Sequence, residues 1–157
     1  MPLPRPFTQL SGEWKGVKRL YLDGESGPEI SSPSRMTIAK VARGTLLMLA
    51  YTWKYEGLPH EGAMLLCHDE KANVATAAWG DSWHMNARLM QCTGAIEPEN
   101  NFSVRGSYAA PPGPDWGWEM VVSVGDPNAI EIVMQNISPK GERFLAVRAD
   151  FARLGKR

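Results

Sequence analysis

The feature that most constrains this chain is an alternation of apolar and polar residues with a period of two. In 116–124 the even positions are Trp116, Trp118, Met120, Val122 and Val124, with Glu119 and Ser123 between them. In 129–137, Ile130, Ile132 and Met134 alternate with Glu131 and Gln135. In 143–152, Leu145, Val147, Ala149 and Phe151 share one face, while Arg148 and Asp150 take the other. Successive side chains of a strand point to opposite faces, so this pattern belongs to antiparallel strands with one face buried. Strands are expected near 13–22, 34–42, 45–55, 61–69, 73–80, 83–92, 102–109, 116–124, 129–137 and 143–152. Between them lie turn-forming stretches such as DGESGP (23–28), DEKAN (69–73), EPENN (97–101), PPGPD (111–115) and SPKG (138–141). No window carries a sustained 3.6-residue repeat, and the one helical candidate is a short turn around Phe7 to Leu10. About ten strands laid flat in one small domain would expose unpaired edges, and closure removes them. The expected fold is all-β: a closed antiparallel up-and-down barrel of about ten strands over 11–157. Residues 1–10 precede it as an extended arm, because Pro2, Pro4 and Pro6 forbid regular pairing.

The totals narrow the function classes. A chain of 157 residues suits one domain and buries enough surface to need no disulfide or metal staple. Lys plus Arg and Asp plus Glu number 17 each, so the basic excess of a nucleic-acid binder is missing and no nucleic-acid partner is expected. Cys67 and Cys92 are far apart, with no CxxC spacing, and read as small buried hydrophobes in a reducing compartment. The N-terminus MPLPRPFTQL has no apolar segment of signal-peptide type. The longest apolar-rich run, TLLMLAYTW (45–53), is about half the length of a membrane-spanning helix. A soluble cytoplasmic protein with no membrane span is expected.

That run alternates poorly. Leu47, Leu49, Tyr51 and Trp53 face one way, and Leu46, Met48 and Ala50 the other. It fits a strand covered on both sides, or a subunit contact in a homo-oligomer.

The first strand reads LSGEWKG, Leu10 to Gly16. This L-x-G-x-W-x-G opening resembles the start of lipocalin-like, or calycin, barrels. YEG (55–57), HEGAMLLCHDEKANVATAAWGDSWHM (60–85) and GDPNAIEIVMQNISPKGERFLAVRADFARL (125–154) extend the likeness. Together they resemble a bacterial family of single-domain calycin-like proteins known as a domain of unknown function. Its members tend to carry a G-x-G-x-x-G-Y-D-like strand and then a W-x-D-S turn. Gly62, His68, Asp69, Trp79, Asp81 and Ser82 stand at those places, with His68 replacing the usual aromatic. The resemblance implies a barrel of about ten strands with a central cavity and supplies no activity. It also implies that Trp14 packs across the closed end under a cationic side chain of the last strand, for which Arg148 is the candidate.

Within AWGDSWHMN (78–86), Asp81, Ser82 and His84 suggest a hydrolytic constellation. On a strand, Ser82 and His84 would point one way and Asp81 the other, so Asp81 could not orient His84 as a triad acid does. There is no G-x-S-x-G elbow. Asp81 and Ser82 read better as chain-bending residues that bond nearby amides. His84 inside a barrel could serve a ligand or a carbonyl. His60 lies in a probable turn, and adjacent Cys67 and His68 cannot share a metal from one strand. No metal and no cofactor are expected; nothing marks a haem ligand.

Aromatic residues are the strongest chemical signal. Six Trp occur, of which Trp79, Trp83, Trp116 and Trp118 lie on segments that a meander would curl around one cavity, with Tyr51 beside them. Arg88 and Arg105, on consecutive expected strands, would favour a carboxylate ligand if they faced inward. The leading expectation is a carrier or sensor of a small, mostly apolar or amphipathic molecule held in the barrel cavity. One alternative is an enzyme using the same cavity, with His84 as general acid or base near Tyr51 or Glu119. A further alternative is a partner-binding or assembly module that docks through 45–53 or 111–118.

Overall fold

A computed structural model describes residues 3–155. Ten strands follow in order: β1 (Gly12–Tyr21), β2 (Glu29–Val41), β3 (Leu46–Tyr55), β4 (Leu58–Asp69), β5 (Val74–Asp81), β6 (Met90–Glu97), β7 (Asn101–Tyr108), β8 (Trp116–Asp126), β9 (Ala129–Ile137) and β10 (Arg143–Arg153). Every strand pairs antiparallel with its sequence neighbours, and β1 closes on β10 from Trp14↔Arg153 to Leu20↔Val147. The result is the closed ten-stranded barrel expected from the alternation. Helical structure among the described residues is limited to three short 3-10 turns.

One expected strand is misplaced. Of residues 83–92, only Met90, Gln91 and Cys92 pair with the preceding strand. Ser82 to Leu89 leave the wall, and β6 starts at Met90 opposite Trp79. The cause lies in Asp81. Its Oδ1 accepts the backbone N–H of Trp83 (2.9 Å) and of His84 (3.2 Å), which turns the chain out of the strand. Asn86 then takes φ 52°, a left-handed conformation that asparagine tolerates. The segment Ser82–Leu89 becomes a flap beside one end of the barrel.

The opposite end is plugged. The first residues do not remain an extended arm: Leu3, Phe7 and Leu10 are buried, and Phe7–Gln9 form a 3-10 turn. Met1 and Pro2, and the basic pair Lys156 and Arg157, lie outside the described residues. Trp14 is buried at this end, and its Nε1 donates to Leu10 O at 3.0 Å. The cation above it is Arg153, whose guanidinium carbon stands 4.4 Å from the ring centroid. Arg153 also donates to Gln9 O, Ser11 O and Pro127 O, tying the plug to the wall. The expectation of Arg148 in this place is corrected. Directly paired residues share a face, and Trp14 pairs with Arg153, whereas Arg148 pairs with Arg19 and is exposed outside. The bulge in β10, between Leu145 and Val147, precedes Arg148 and does not turn it inward.

Side chains fill most of the axis. Met36, Met64, Met90, Met120 and Met134 are all buried, and the void left beside Lys18 and Met64 is only about 10 Å³. Flexible thioethers pack irregular space well. The roomy central cavity of the sequence reading is therefore replaced by a filled core, with open space at the mouth. In β3 the inner residues Leu47, Leu49, Tyr51 and Trp53 are buried, while Leu46, Met48 and Ala50 form a half-buried outer face next to exposed Leu65. No helix among the described residues is long and apolar enough to cross a membrane.

Candidate functional site at the barrel mouth

The site begins with a lysine where the β1 pattern would place an apolar residue. Trp14, Gly16, Lys18 and Leu20 share the inner face, so Lys18 points inside and keeps only 3% of its surface exposed. Its partner is Asp81, the last residue of β5, on the same inner face as Ala75, Ala77 and Trp79. Lys18 Nζ stands 3.7 Å from Asp81 Oδ2 and 3.5 Å from the centre of the Trp53 ring. Asp81 Oδ2 also accepts Tyr51 OH (2.7 Å) and Trp53 Nε1 (3.2 Å), while Trp79 Nε1 donates to Tyr51 OH at 2.9 Å. On β2, between β1 and β3, Ser34 donates its hydroxyl to Thr52 O at 2.7 Å.

Gly62 makes this packing possible. A Cβ there would lie 2.4 Å from Tyr51 OH and 2.9 Å from Asp81 Oδ2. The glycine that opens the family-like strand motif thus clears the space in which the phenol meets the carboxylate.

Burial and charge set the protonation states. Burial pushes the Asp81 carboxyl up, but the Lys18 ammonium, the neighbouring imidazole and the hydrogen bonds from Tyr51 and Trp83 together hold it below its ordinary range. Burial pulls Lys18 down to about 8, against the opposing pull of Asp81. Burial also raises the Tyr51 phenol, and the Asp81 charge adds to it. His84 is drawn down to about 3, first by burial and then by the Lys18 charge. At neutral pH the cluster is an ion pair capped by a neutral imidazole.

Above the cluster lies an aromatic wall. Trp79 and Trp118 stack with centroids 5.2 Å apart and planes 8° apart. His84 lies nearly parallel to Trp53 at 5.8 Å, and Trp83 meets His84 edge-on at 4.7 Å. Tyr108 meets Trp118 edge-on at 6.5 Å, and its hydroxyl donates to Asn136 Oδ1 at 2.5 Å. Trp79, Trp83, His84, Tyr108 and Trp118 border a cavity of about 850 Å³ that opens to solvent at the barrel mouth and is lined also by Met85, Met90 and Arg88.

The expected site residues divide. Trp79, Trp83, His84 and Trp118 come together at the mouth, Tyr51 lies just beneath, and Arg88 sits on the flap at the rim. Trp116 is separate: it follows the inner parity of β8 but stands at the strand's first residue, against Phe144 at 6.0 Å. Arg105 is on the outer wall, where its Nε binds Glu119 Oε2 at 2.9 Å. Glu119 is outside too, shared with Arg143, so it is not a partner for His84. Asp81 contacts the His84 backbone and makes no hydrogen bond to its ring. Among the described residues, the one Ser–His hydrogen bond is His60 Nδ1 with Ser82 Oγ at 3.1 Å, and no carboxylate hydrogen-bonds the His60 ring. Sequence reasoning missed Lys18 and Trp53 as site residues. The signal was present in both cases: each occupies the inner parity of its strand.

A closed ten-stranded antiparallel barrel, sealed by a first-strand Trp under a last-strand Arg and open at the far end onto aromatic rings, is a lipocalin-like barrel. The chain belongs to the family described as Protein of unknown function (DUF1579), which matches residues 5–153. Solved structures that share its fold include the following two. The S-type phycobiliprotein lyase CPES from Guillardia theta superposes with a TM-score of 0.65 at 10% identity, covering 96% of this chain and 92% of that one. Rv2717c from M. tuberculosis superposes with a TM-score of 0.59 at 12% identity, covering 94% of each chain. At such identities the likeness is one of architecture. No protein of curated function matches the chain.

Proposed function

We propose that this protein is a non-enzymatic carrier or sensor that holds a small amphipathic, mostly apolar molecule at the barrel mouth. The observation that carries the reading is the cavity of about 850 Å³ walled by Trp79, Trp83, Trp118 and Tyr108. Ligand pockets are typically concave, aromatic and of this size, with a few convergent polar groups. The barrel that shapes the mouth is closed and filled below, so Trp79, Tyr108 and Trp118 are held on strands above a packed core, and Trp83 is carried by the flap. One protein of similar fold is named a phycobiliprotein lyase; that likeness concerns architecture, and the reading rests on the mouth itself.

A general acid or base role for His84 gains no support. Its imidazolium form is lost near pH 3, so at neutral pH it is a weak base and holds no acidic proton of useful strength. The direct test is a titration of the full chain with Nile red, a neutral apolar dye, followed by native mass spectrometry of protein purified without added ligand. A saturable blue-shifted emission with a stoichiometry of one supports the reading. Absence of saturable dye binding together with a ligand-free mass would overturn it.

A further inference from the structure

We infer that the polar end of the mouth ligand is a carboxylate, received by Trp118 Nε1 and His84 Nε2 in the wall between two cavities. This rests on the mouth-pocket reading and names the chemistry at its deep end. Beside the larger cavity lies a second one of about 110 Å³, bordered also by Tyr21 and the exposed Leu22. Trp83, His84, Trp118 and Asn136 line both, so these four side chains form the partition.

Two nitrogens in that partition, Trp118 Nε1 and His84 Nε2, are shielded from solvent and have no hydrogen-bond partner among the described residues. Their rings are 5.6 Å apart. Buried polar groups are normally paired, and leaving one unpaired is costly. Indole Nε1 can only donate. A neutral imidazole can donate from Nε2, so the pair matches a group with two acceptor oxygens. Asn136 uses its oxygen to accept Tyr108 OH, which leaves its N–H2 as a third donor on the same wall.

The charge distribution selects an anion. No acidic side chain borders the larger cavity, and Arg88 is the cation at its rim. Asp81 beneath is already matched by Lys18 and by the donors of Tyr51, Trp53, Trp83 and His84. Neutral donors aimed at a desolvated anion form charge-assisted hydrogen bonds, stronger than those to a neutral carbonyl. His84 is carried by the flap, which is held by Ser82 N–H to Glu61 O, Met85 N–H to Asp81 O and Arg88 N–H to Met85 O. The flap tip, Asn86 to Leu89, is exposed. Both nitrogens are buried in this arrangement, so reception of the carboxylate requires the flap to move away from the Trp118 ring.

The test uses 1-pyrenebutanoic acid and its methyl ester, which share one apolar body. Each is titrated into the full chain at pH 7 and followed by pyrene fluorescence anisotropy. The acid is expected to bind at least tenfold more tightly than the ester. Trp118→Phe keeps an aromatic ring in the wall and removes the donor; whatever it does to the affinity for the shared apolar body, the ratio of acid to ester affinity is expected to fall at least threefold. In the wild-type protein the Trp118 indole N–H resonance is expected to move downfield with the acid and not with the ester, a readout that needs no variant. Equal binding of acid and ester would overturn the carboxylate inference and leave the pocket reading standing. A preference that survives in Trp118→Phe, with an unmoved resonance, would also overturn it. Binding of neither compound would overturn both.

Discussion

Lys18 Nζ lies 3.7 Å from Asp81 Oδ2 and 3.5 Å above the centre of the Trp53 ring, so the charges buried inside the barrel are matched to each other and to an aromatic face. Neither residue is a solvated surface ion: Lys18 and Asp81 are each 3% exposed. A buried ion pair is not in itself stabilising, but breaking one side leaves a charge without compensation.

Asp81→Asn is therefore expected to lower unfolding stability by about 3–5 kcal/mol. It strands the Lys18 ammonium and weakens the bonds from Tyr51 and Trp53. The double variant Lys18→Met/Asp81→Asn is expected to recover part of the loss, which a urea-unfolding double-mutant cycle measures directly. Strict additivity of the two single losses would show that the pair is not coupled.

Stability is expected to fall on acidification between about pH 6.5 and pH 3, and His84 is the main cause. Burial, then Lys18, pull its folded pKa down to about 3, whereas the unfolded chain takes up the proton near the ordinary imidazole value. Across that window the unfolded state binds more protons, so stability rises with pH and is lost as pH drops. Asp81, also held low, adds a loss of the same sign at the acidic end. The His84 contribution is about 2 kcal/mol, because partial solvent contact of the ring screens the full linkage value. Urea midpoints of wild type and His84→Gln should converge as the pH falls; parallel profiles would contradict the assignment.

Lys18 produces a further rise at alkaline pH. Its folded pKa is near 8, below that of the unfolded chain, so between about pH 8 and pH 10 the unfolded state holds the extra proton and stability increases with pH. Lys18→Met is expected to abolish that rise in thermal unfolding scans. A decline in wild-type stability through this window, traced to Lys18, would contradict it.

Much of this arrangement could be read before any coordinates. Period-two alternation specified the strands of β8, β9 and β10, and antiparallel closure followed from the number of edges to be hidden. Trp79, Trp83, Trp116 and Trp118 read as one group from the sequence; Trp79, Trp83 and Trp118 border the mouth cavity, and Trp116 stands apart against Phe144. The flap was not recognisable, because Trp83, Met85 and Leu89 look like strand residues. What decides that segment is the tertiary fit of the Asp81 carboxylate, which accepts two backbone N–H groups and ends pairing at Trp79. Arg153 was overlooked for a related reason: which last-strand cation covers Trp14 depends on the register of the β1–β10 seam, and period-two patterning carries no inter-strand register. Lys18 was overlooked because a lysine on an inner parity reads as surface until its partner Asp81 is in place. The filled axis depended on how far the five inward methionines reach.

Arg153, which covers Trp14, and Arg148, which does not, give a simple contrast. Arg153→Ala removes a cation from the Trp14 ring and the hydrogen bonds to Gln9 O, Ser11 O and Pro127 O, and is expected to cost about 2 kcal/mol. Arg148→Ala, on the exposed outer face, is expected to change stability by no more than about 0.5 kcal/mol. Chemical denaturation of the two variants side by side decides the matter, and equal effects would contradict the closure described.

Gly62→Ala is the most local probe of the polar cluster. The added methyl would meet Tyr51 OH and Asp81 Oδ2 at sub-contact distances, so the phenol–carboxylate bond must break or shift. A loss of about 2 kcal/mol or more is expected, with a changed indole environment for Trp79, whose Nε1 binds the same phenol. Unchanged stability and an unchanged Trp79 resonance would show that the contact is not tight.

The central claim is that an apolar molecule binds at the mouth. Two-dimensional NMR of the six indole N–H groups during titration with Nile red tests it most directly. The account predicts saturable shifts at Trp79, Trp83 and Trp118, with Trp14 at the plugged end and Trp116 beside Phe144 unmoved. Saturable shifts confined to Trp14 or Trp116, or no saturable shift at any indole, would contradict it.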